Sequence, residues 1–121
     1  MSEQSDQVEH VIRDHVAAFN AHDLHQLLRG LSEDVVWQTG QDTFHGRDEL
    51  AAVFSEAFRT IAPRLIVRSM FLGRDGAACE LQEEMTVDGA SREDFIAGLY
   101  RADAKGMITS LKIYRQGSAD I

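Results

Sequence analysis

This sequence predicts an α+β fold in which three N-terminal helices pack into the concave face of a curved, mainly antiparallel sheet. Three observations lead there. Apolar residues at helical spacing occupy the first half of the chain, with a proline, Pro63, just beyond the last of them. Alternating segments separated by turn signals fill the remainder. One short apolar strand, Val35 to Trp37, lies between the second helix and the third. Helices first, strands last and one strand interleaved describe a sheet wrapped around helices, with a single cavity between them.

Each element has its own justification. Ser5 or Asp6 can cap the first helix, with Glu9 three residues after Asp6 in capping-box spacing. Val8, Val11, Ile12, His15, Val16 and Phe19 then fall on one face, and the helix runs to about Asn20. Asp23 suits the N-cap of a second helix whose apolar stripe is Leu24, Leu27, Leu28 and Leu31. An acidic turn, Ser32-Glu33-Asp34, leads into the short strand, and Gly40 to His45 reads as a loop. The third helix opens at Gly46 to Asp48, where acids suit the positive end of the helix dipole, and buries Leu50, Val53, Phe54, Ala57 and Phe58. Pro63 prevents its continuation. Four strands follow, at Leu65 to Leu72, Ala77 to Val87, about Ser91 to Arg101, and Met107 to Arg115. Asp88-Gly89 is a strong hairpin signal between the second and third of these. The whole, residues 1–121, is one domain, with loose tails at about 1–4 and 116–121.

Composition narrows the function classes. At 121 residues and 44% hydrophobic content, the chain can bury a sizeable core without disulfides or metal. Twelve basic against twenty acidic side chains give a net charge of −8. There is no basic footprint for nucleic acid or for an anionic membrane surface. No apolar run approaches the ~20 residues of a membrane span, and MSEQSDQVEH lacks the regions of a signal peptide. One cysteine, Cys79, precludes an intrachain disulfide and fits a reducing compartment. The expectation is a cytoplasmic protein.

Strand parity selects the inward side chains. On the second of the four strands, Cys79, Leu81, Glu83, Met85 and Val87 share one face, and Glu80, Gln82, Glu84 and Thr86 the other. The first set is the inner one, which places Glu83 among apolar neighbours, where a bare carboxylate is costly. The next strand alternates Asp94, Ile96, Gly98 and Tyr100 against Phe95, Ala97 and Leu99. Neither set is clearly polar, so both faces are expected to be covered, the outer one by a second copy of the chain.

The segments AAFNAHDLHQLL, EDVVW, FHGRDEL and GMITSLKIYR resemble the SnoaL-like branch of the NTF2-like superfamily, over about Val8 to Arg115. The resemblance implies a cone-shaped, cystatin-like α+β fold, a small-molecule pocket and a homodimer through the outer sheet face. The superfamily spans isomerases, cyclases, hydrolases, dehydratases and non-catalytic binding modules, so the fold alone does not select an activity. In ketosteroid isomerase members a helix-1 tyrosine, just before a segment like VAALNAGD, donates to an oxyanion; here VAAFNAHD follows His15. Their general-base aspartate falls near Trp37 or Gln38, and their protonated aspartate near Gly98. Two of three catalytic positions are therefore lost, and steroid isomerisation by that mechanism is not expected. The same register turns Glu83, Asp94 and Arg115 toward the cavity. The Arg-x-Asp and final-strand Asp pattern of limonene-epoxide-hydrolase-like members is missing, the last strand reading LKIYR. Polyketide cyclase members use an acid, usually with a histidine; Glu83 or Asp94 with His15 matches by residue type.

The candidate site follows, each residue with an ordinary alternative. His15 is a donor or proton shuttle, or a buried histidine bonded to nearby backbone. Glu83 is a general base, or one half of an ion pair with Arg115 or Arg92. Asp94 is an acid/base, or a strand-start residue at the rim. Phe19, Trp37, Phe54, Phe58, Met70, Ile96, Leu111 and Arg115 line the cavity, or in the case of the apolar ones simply fill the core. His22, His25 and His45 read as surface or loop residues; His22 and His25 have no evident third metal ligand, and no metal or cofactor is expected. Cys79 reads as a buried, inert thiol. Two functions emerge. One is a cofactor-independent enzyme acting by acid/base chemistry on a compact apolar carbonyl compound. The other is a ligand-binding or protein-association module without catalysis, in which Glu83 and Arg115 neutralise each other.

Overall fold

The computed structural model describes residues 3–116. Its helices are α1 (Glu3–Asn20), α2 (Leu24–Arg29) and α3 (Gly46–Thr60). Its strands are β1 (Leu31–Thr39), β2 (Asp42–His45), β3 (Arg64–Leu72), β4 (Gly76–Val87), β5 (Ala90–Ala102) and β6 (Ile108–Arg115). They form one curved, open sheet in the order β2-β1-β6-β5-β4-β3. Every neighbouring pair is antiparallel except β1 and β6, which run parallel. The mixed α+β fold is the one the sequence predicts. Among the described residues no helix is long and apolar enough to cross a membrane.

Helix α1 presents Val8, Ile12, His15, Val16 and Phe19 to the sheet, and α3 presents Leu50 and Phe54. Ile12, Leu50, Leu81 and Leu111 are almost completely buried between these layers, each stabilising the fold by roughly 1.5–3 kcal/mol through removal of apolar surface from water. The C-terminus of α1 is fastened to the edge strand β3 by Asn20. Its side-chain Nδ2 donates to the Leu65 carbonyl at 2.8 Å, and its Oδ1 accepts from the Leu65 N–H at 2.7 Å. The amide thus satisfies backbone groups that an edge strand otherwise leaves open, and it fixes the face of α1 that overlooks the sheet.

Several boundaries differ from the sequence reading, for local reasons. Helix α1 begins at Glu3, ahead of the expected Ser5 or Asp6 cap; Glu3 and Asp6 fall in its first turn, where acids favour the helix dipole. Leu31, placed in the stripe of the second helix, instead opens β1, because α2 ends at Arg29 with Gly30 as its C-cap. The acidic turn Ser32-Glu33-Asp34 lies within β1 as an irregularity in the ladder. Leu31 pairs with Ile108 and Val36 with Ser110, so the acids bulge out to solvent between them. The expected loop from Gly40 to His45 contains β2, which returns against β1 with Trp37 opposite Phe44. Gly40, at φ 59°, supplies the positive φ that so tight a turn requires. Asp88 and Gly89, at φ 51° and 79°, make the predicted β4–β5 hairpin turn. Gln116 follows β6, and the rest of the expected C-terminal tail, like residues 1–2, lies outside the described residues.

Candidate active site

A cavity of about 160 Å³ opens between α1, α3 and the inner face of the sheet. Sheet register explains who lines it. Trp37 pairs with Leu111, and Leu111 with Tyr100, which places these three side by side on the inner face. Further along, Ile96 pairs with Arg115, and Glu83 with both Asp94 and Leu65. His15 and Phe19 look down from α1, Phe54 from α3, and Pro63 closes the corner where the chain turns from α3 into β3. The wall is mostly apolar.

His15 sits deep in this space, 5% exposed, with its ring centroid 5.7 Å from those of both Trp37 and Tyr100. Neither ring nitrogen has a hydrogen-bond partner, so the alternative of a histidine bonded to nearby backbone does not hold. Burial disfavours the imidazolium and pushes the pKa down to about 4, so the ring is neutral at pH 7. The Tyr100 hydroxyl is likewise buried and unpartnered. Burial, and secondarily the neighbouring Cys79, push its pKa above the usual phenol range. Buried polar groups are ordinarily paired, and each unmade hydrogen bond costs on the order of 1–3 kcal/mol. Among the described residues the other buried polar side-chain atom without a partner is Ser32 Oγ, away from the cavity wall.

Glu83 faces the cavity at 9% exposure, as strand parity predicts. Its partner is Arg115, not Arg92: Nη1 donates to Glu83 Oε1 at 2.8 Å and to Asp94 Oδ2 at 3.2 Å. The arginine therefore reaches diagonally across β5, from opposite Ile96 to the next inward position of β4. Arg92 approaches Asp94 from the solvent side, at 3.4 Å. Asp94 is thus a rim residue in a four-membered charge cluster rather than part of the wall. Burial raises the Cys79 thiol to about 11 against an opposing pull from Arg13, which keeps it protonated and inert at pH 7.

Of the expected wall, the structure gathers Phe19, Trp37, Phe54, Ile96, Leu111 and Arg115. Phe58 and Met70 depart from the expectation and pack against the core beside the cavity. Phe58 is held there by stacking on Phe54 and on His22, at centroid distances of 6.2 and 4.7 Å. His22 is accordingly no mere surface residue. It takes φ 54° and its Nε2 donates to the Pro63 carbonyl at 2.8 Å, joining the α1–α2 turn to the α3–β3 corner. The sequence reading missed several wall residues, among them Thr39, Pro63, Leu65 and Tyr100; for Tyr100, its place on the inward face with Ile96 is the available signal. Among the described residues no group of three or more His, Cys, Asp or Glu is placed to hold a metal ion.

The SnoaL-like domain model matches residues 12–110. No curated protein matches the chain. Among solved structures, an NTF2-like protein of unknown function from Burkholderia pseudomallei is 22% identical with a TM-score of 0.83, covering 96% of this chain and 92% of that one. A Mycobacterium tuberculosis protein in complex with estradiol-17beta-hemisuccinate is 20% identical with a TM-score of 0.82, covering 89% and 92%. The epoxide hydrolase/cyclase-like enzyme SalBIII, with a role in pyran ring formation in the polyether salinomycin, is 15% identical with a TM-score of 0.87, covering 98% and 95%. At these identities the likeness is one of fold.

Proposed function

The chain belongs to the SnoaL-like domain family, and on that premise we propose that it is a small-molecule enzyme without a cofactor, acting by acid/base chemistry on a compact apolar carbonyl compound. The reaction is of isomerase, cyclase or dehydratase type. The observation that carries this reading is a carboxylate, Glu83, on the wall of an apolar cavity that also holds a neutral, unpartnered histidine. Glu83 takes a proton from the carbon next to the carbonyl; the electron pair moves onto the oxygen, and the neutral His15 N–H stabilises the charge that develops there. Arg115 engages Glu83 Oε1 and holds the side chain in place. Asp94, through the same guanidinium, keeps that arginine at the rim. Phe19, Trp37, Phe54, Ile96 and Leu111 exclude water around the reacting atoms. Ligand binding in the estradiol-hemisuccinate complex and ring formation by SalBIII are consistent with small-molecule chemistry in this fold.

One observation favours a second reading, binding without turnover: the 2.8 Å ion pair neutralises Glu83. Exchange of α-hydrogens of cyclohexanone in D₂O, followed by proton NMR, separates the two. The catalytic reading predicts exchange above the solvent rate that falls by about 10²-fold or more in Glu83→Gln. Binding with no exchange by the wild type selects the second reading. Undiminished exchange in the variant removes Glu83 as the base.

The reading includes a homodimer. Phe71, Phe95, Leu99 and Tyr114 are 65%, 48%, 43% and 55% exposed. Phe71 and Leu99 flank Ala78 in one row across the outer sheet face, and Tyr114 lies beside Ala97 in the next. These exposed apolar side chains, interspersed with Lys112 and Glu80 on the same face, suit a second copy of the chain.

A further inference from the structure

We propose that the His15–Tyr100 end of the cavity is a recognition site for one uncharged oxygen head group, a carbonyl or a hydroxyl, on a body no larger than a single ring. The inference rests on the small-molecule reading above and narrows its ligand. Tyr100 enters as a binding residue in its own right.

His15 and Tyr100 both line the cavity, and three of their polar atoms are buried without a partner: both ring nitrogens of His15 and the Tyr100 hydroxyl oxygen. The two rings meet edge to face at 73° with centroids 5.7 Å apart, which makes them neighbours on the wall of the cavity. A neutral imidazole offers one donor and one acceptor, and a phenol hydroxyl offers either. A ligand carbonyl accepts from the histidine N–H and the tyrosine O–H; a ligand hydroxyl donates to one and accepts from the other. Both leave the site better satisfied than an apolar molecule does.

The position of the Tyr100 ring depends on Gly98, two residues earlier on the same face of β5. A Cβ at Gly98 would lie 2.8 Å from Tyr100 Cε2, a distance real Cβ atoms do not tolerate. The ring leans along its own strand into space that a side chain at this position would take. Glycine here is therefore tied to where the hydroxyl is delivered.

Charge and size set the rest of the specificity. The ionised groups on the wall, Glu83 and Arg115, are paired with each other. Neither His15 nor Tyr100 carries a charge at neutral pH to balance a carboxylate or an ammonium, and an unbalanced ion in an apolar space is strongly disfavoured. A volume of about 160 Å³ matches a benzene-sized molecule rather than a steroid.

Titration calorimetry with five probes built on a six-membered ring tests this at neutral pH: cyclohexanone, cyclohexanol, methylcyclohexane, cyclohexanecarboxylate and cyclohexylammonium. The ketone and the alcohol are expected to bind about tenfold or more tightly than the hydrocarbon, and the two ions not measurably. Tyr100→Phe should weaken the ketone and the alcohol by about fivefold or more and leave the hydrocarbon unchanged. Gly98→Ala, which keeps the hydroxyl but displaces its ring, should repeat that pattern. Equal binding of ketone and hydrocarbon, measurable binding of either ion, an unchanged ketone affinity in Tyr100→Phe, or binding of none of the five overturns the proposal. Glu83→Gln should still bind the ketone. Selective binding without exchange therefore overturns the catalytic reading and leaves this one standing.

Discussion

Replacing His15 by phenylalanine should flatten the acid limb of the stability profile, and the size of the effect follows from one buried ring. In the unfolded chain the imidazole protonates near 6.5, and in the folded chain burial holds it neutral down to about 4. Between these values the unfolded state binds more protons, so unfolding is favoured as pH falls. The stabilising preference for neutral His15 is complete above the unfolded value, shrinks through the window, and levels off below the folded one. The full span corresponds to about 3 kcal/mol, of which about 2 kcal/mol is expressed on acidifying from about pH 7.5 to about pH 5. For a domain of this size that is a fall of roughly 8 °C in Tm. Urea denaturation of wild type and His15→Phe across this range isolates the effect, because groups common to both cancel in the difference. Phenylalanine keeps a ring in the same space and cannot titrate. Stability curves that run parallel in the two proteins would refute the buried, neutral histidine.

Three further outcomes follow from the same geometry. Tyr100→Phe deletes a buried hydroxyl that has no partner, so the ligand-free protein should gain about 1 kcal/mol in urea denaturation; a loss would mean the hydroxyl is paired. Arg115→Ala leaves Glu83 buried beside the cavity without its cation. Because the arginine side chain is 44% exposed, the cost should be about 1–2 kcal/mol, shrinking in a Glu83→Gln background; equal losses in both backgrounds would dissociate the two. Leu99→Lys should convert a dimer to a folded monomer in sedimentation velocity, and a monomeric wild type would remove the outer-face association.

The parts of the fold that depend on local periodicity were legible. The apolar stripe of α1 put His15 on the buried face, and the alternation of β4 turned Glu83 inward. What escaped was set by contacts between distant segments. Strand β2 has four residues and little hydrophobic pattern of its own; it exists because Gly40 folds it back onto β1. Leu31 has the right spacing for a helix stripe, but pairing with Ile108 claims it for the sheet. By sequence either Arg115 or Arg92 can pair with Glu83, and it is the position of β6 beside β5 that selects Arg115. His22 looked like a loop residue because its partners, Phe58 and the Pro63 carbonyl, come from the far end of α3. Tyr100 carried an inward parity that was visible, but the absence of any partner for its hydroxyl is a property of the packed cavity alone.

The most direct measurement is a crystal structure of the protein soaked with cyclohexanone. The ketone oxygen is predicted within hydrogen-bonding distance of the His15 ring and the Tyr100 hydroxyl, with the ring of the ligand against Trp37 and Phe54 and its α-carbon facing Glu83. Density for the ketone only on the outer sheet face, or inside the cavity with its oxygen turned away from both His15 and Tyr100, would contradict the account.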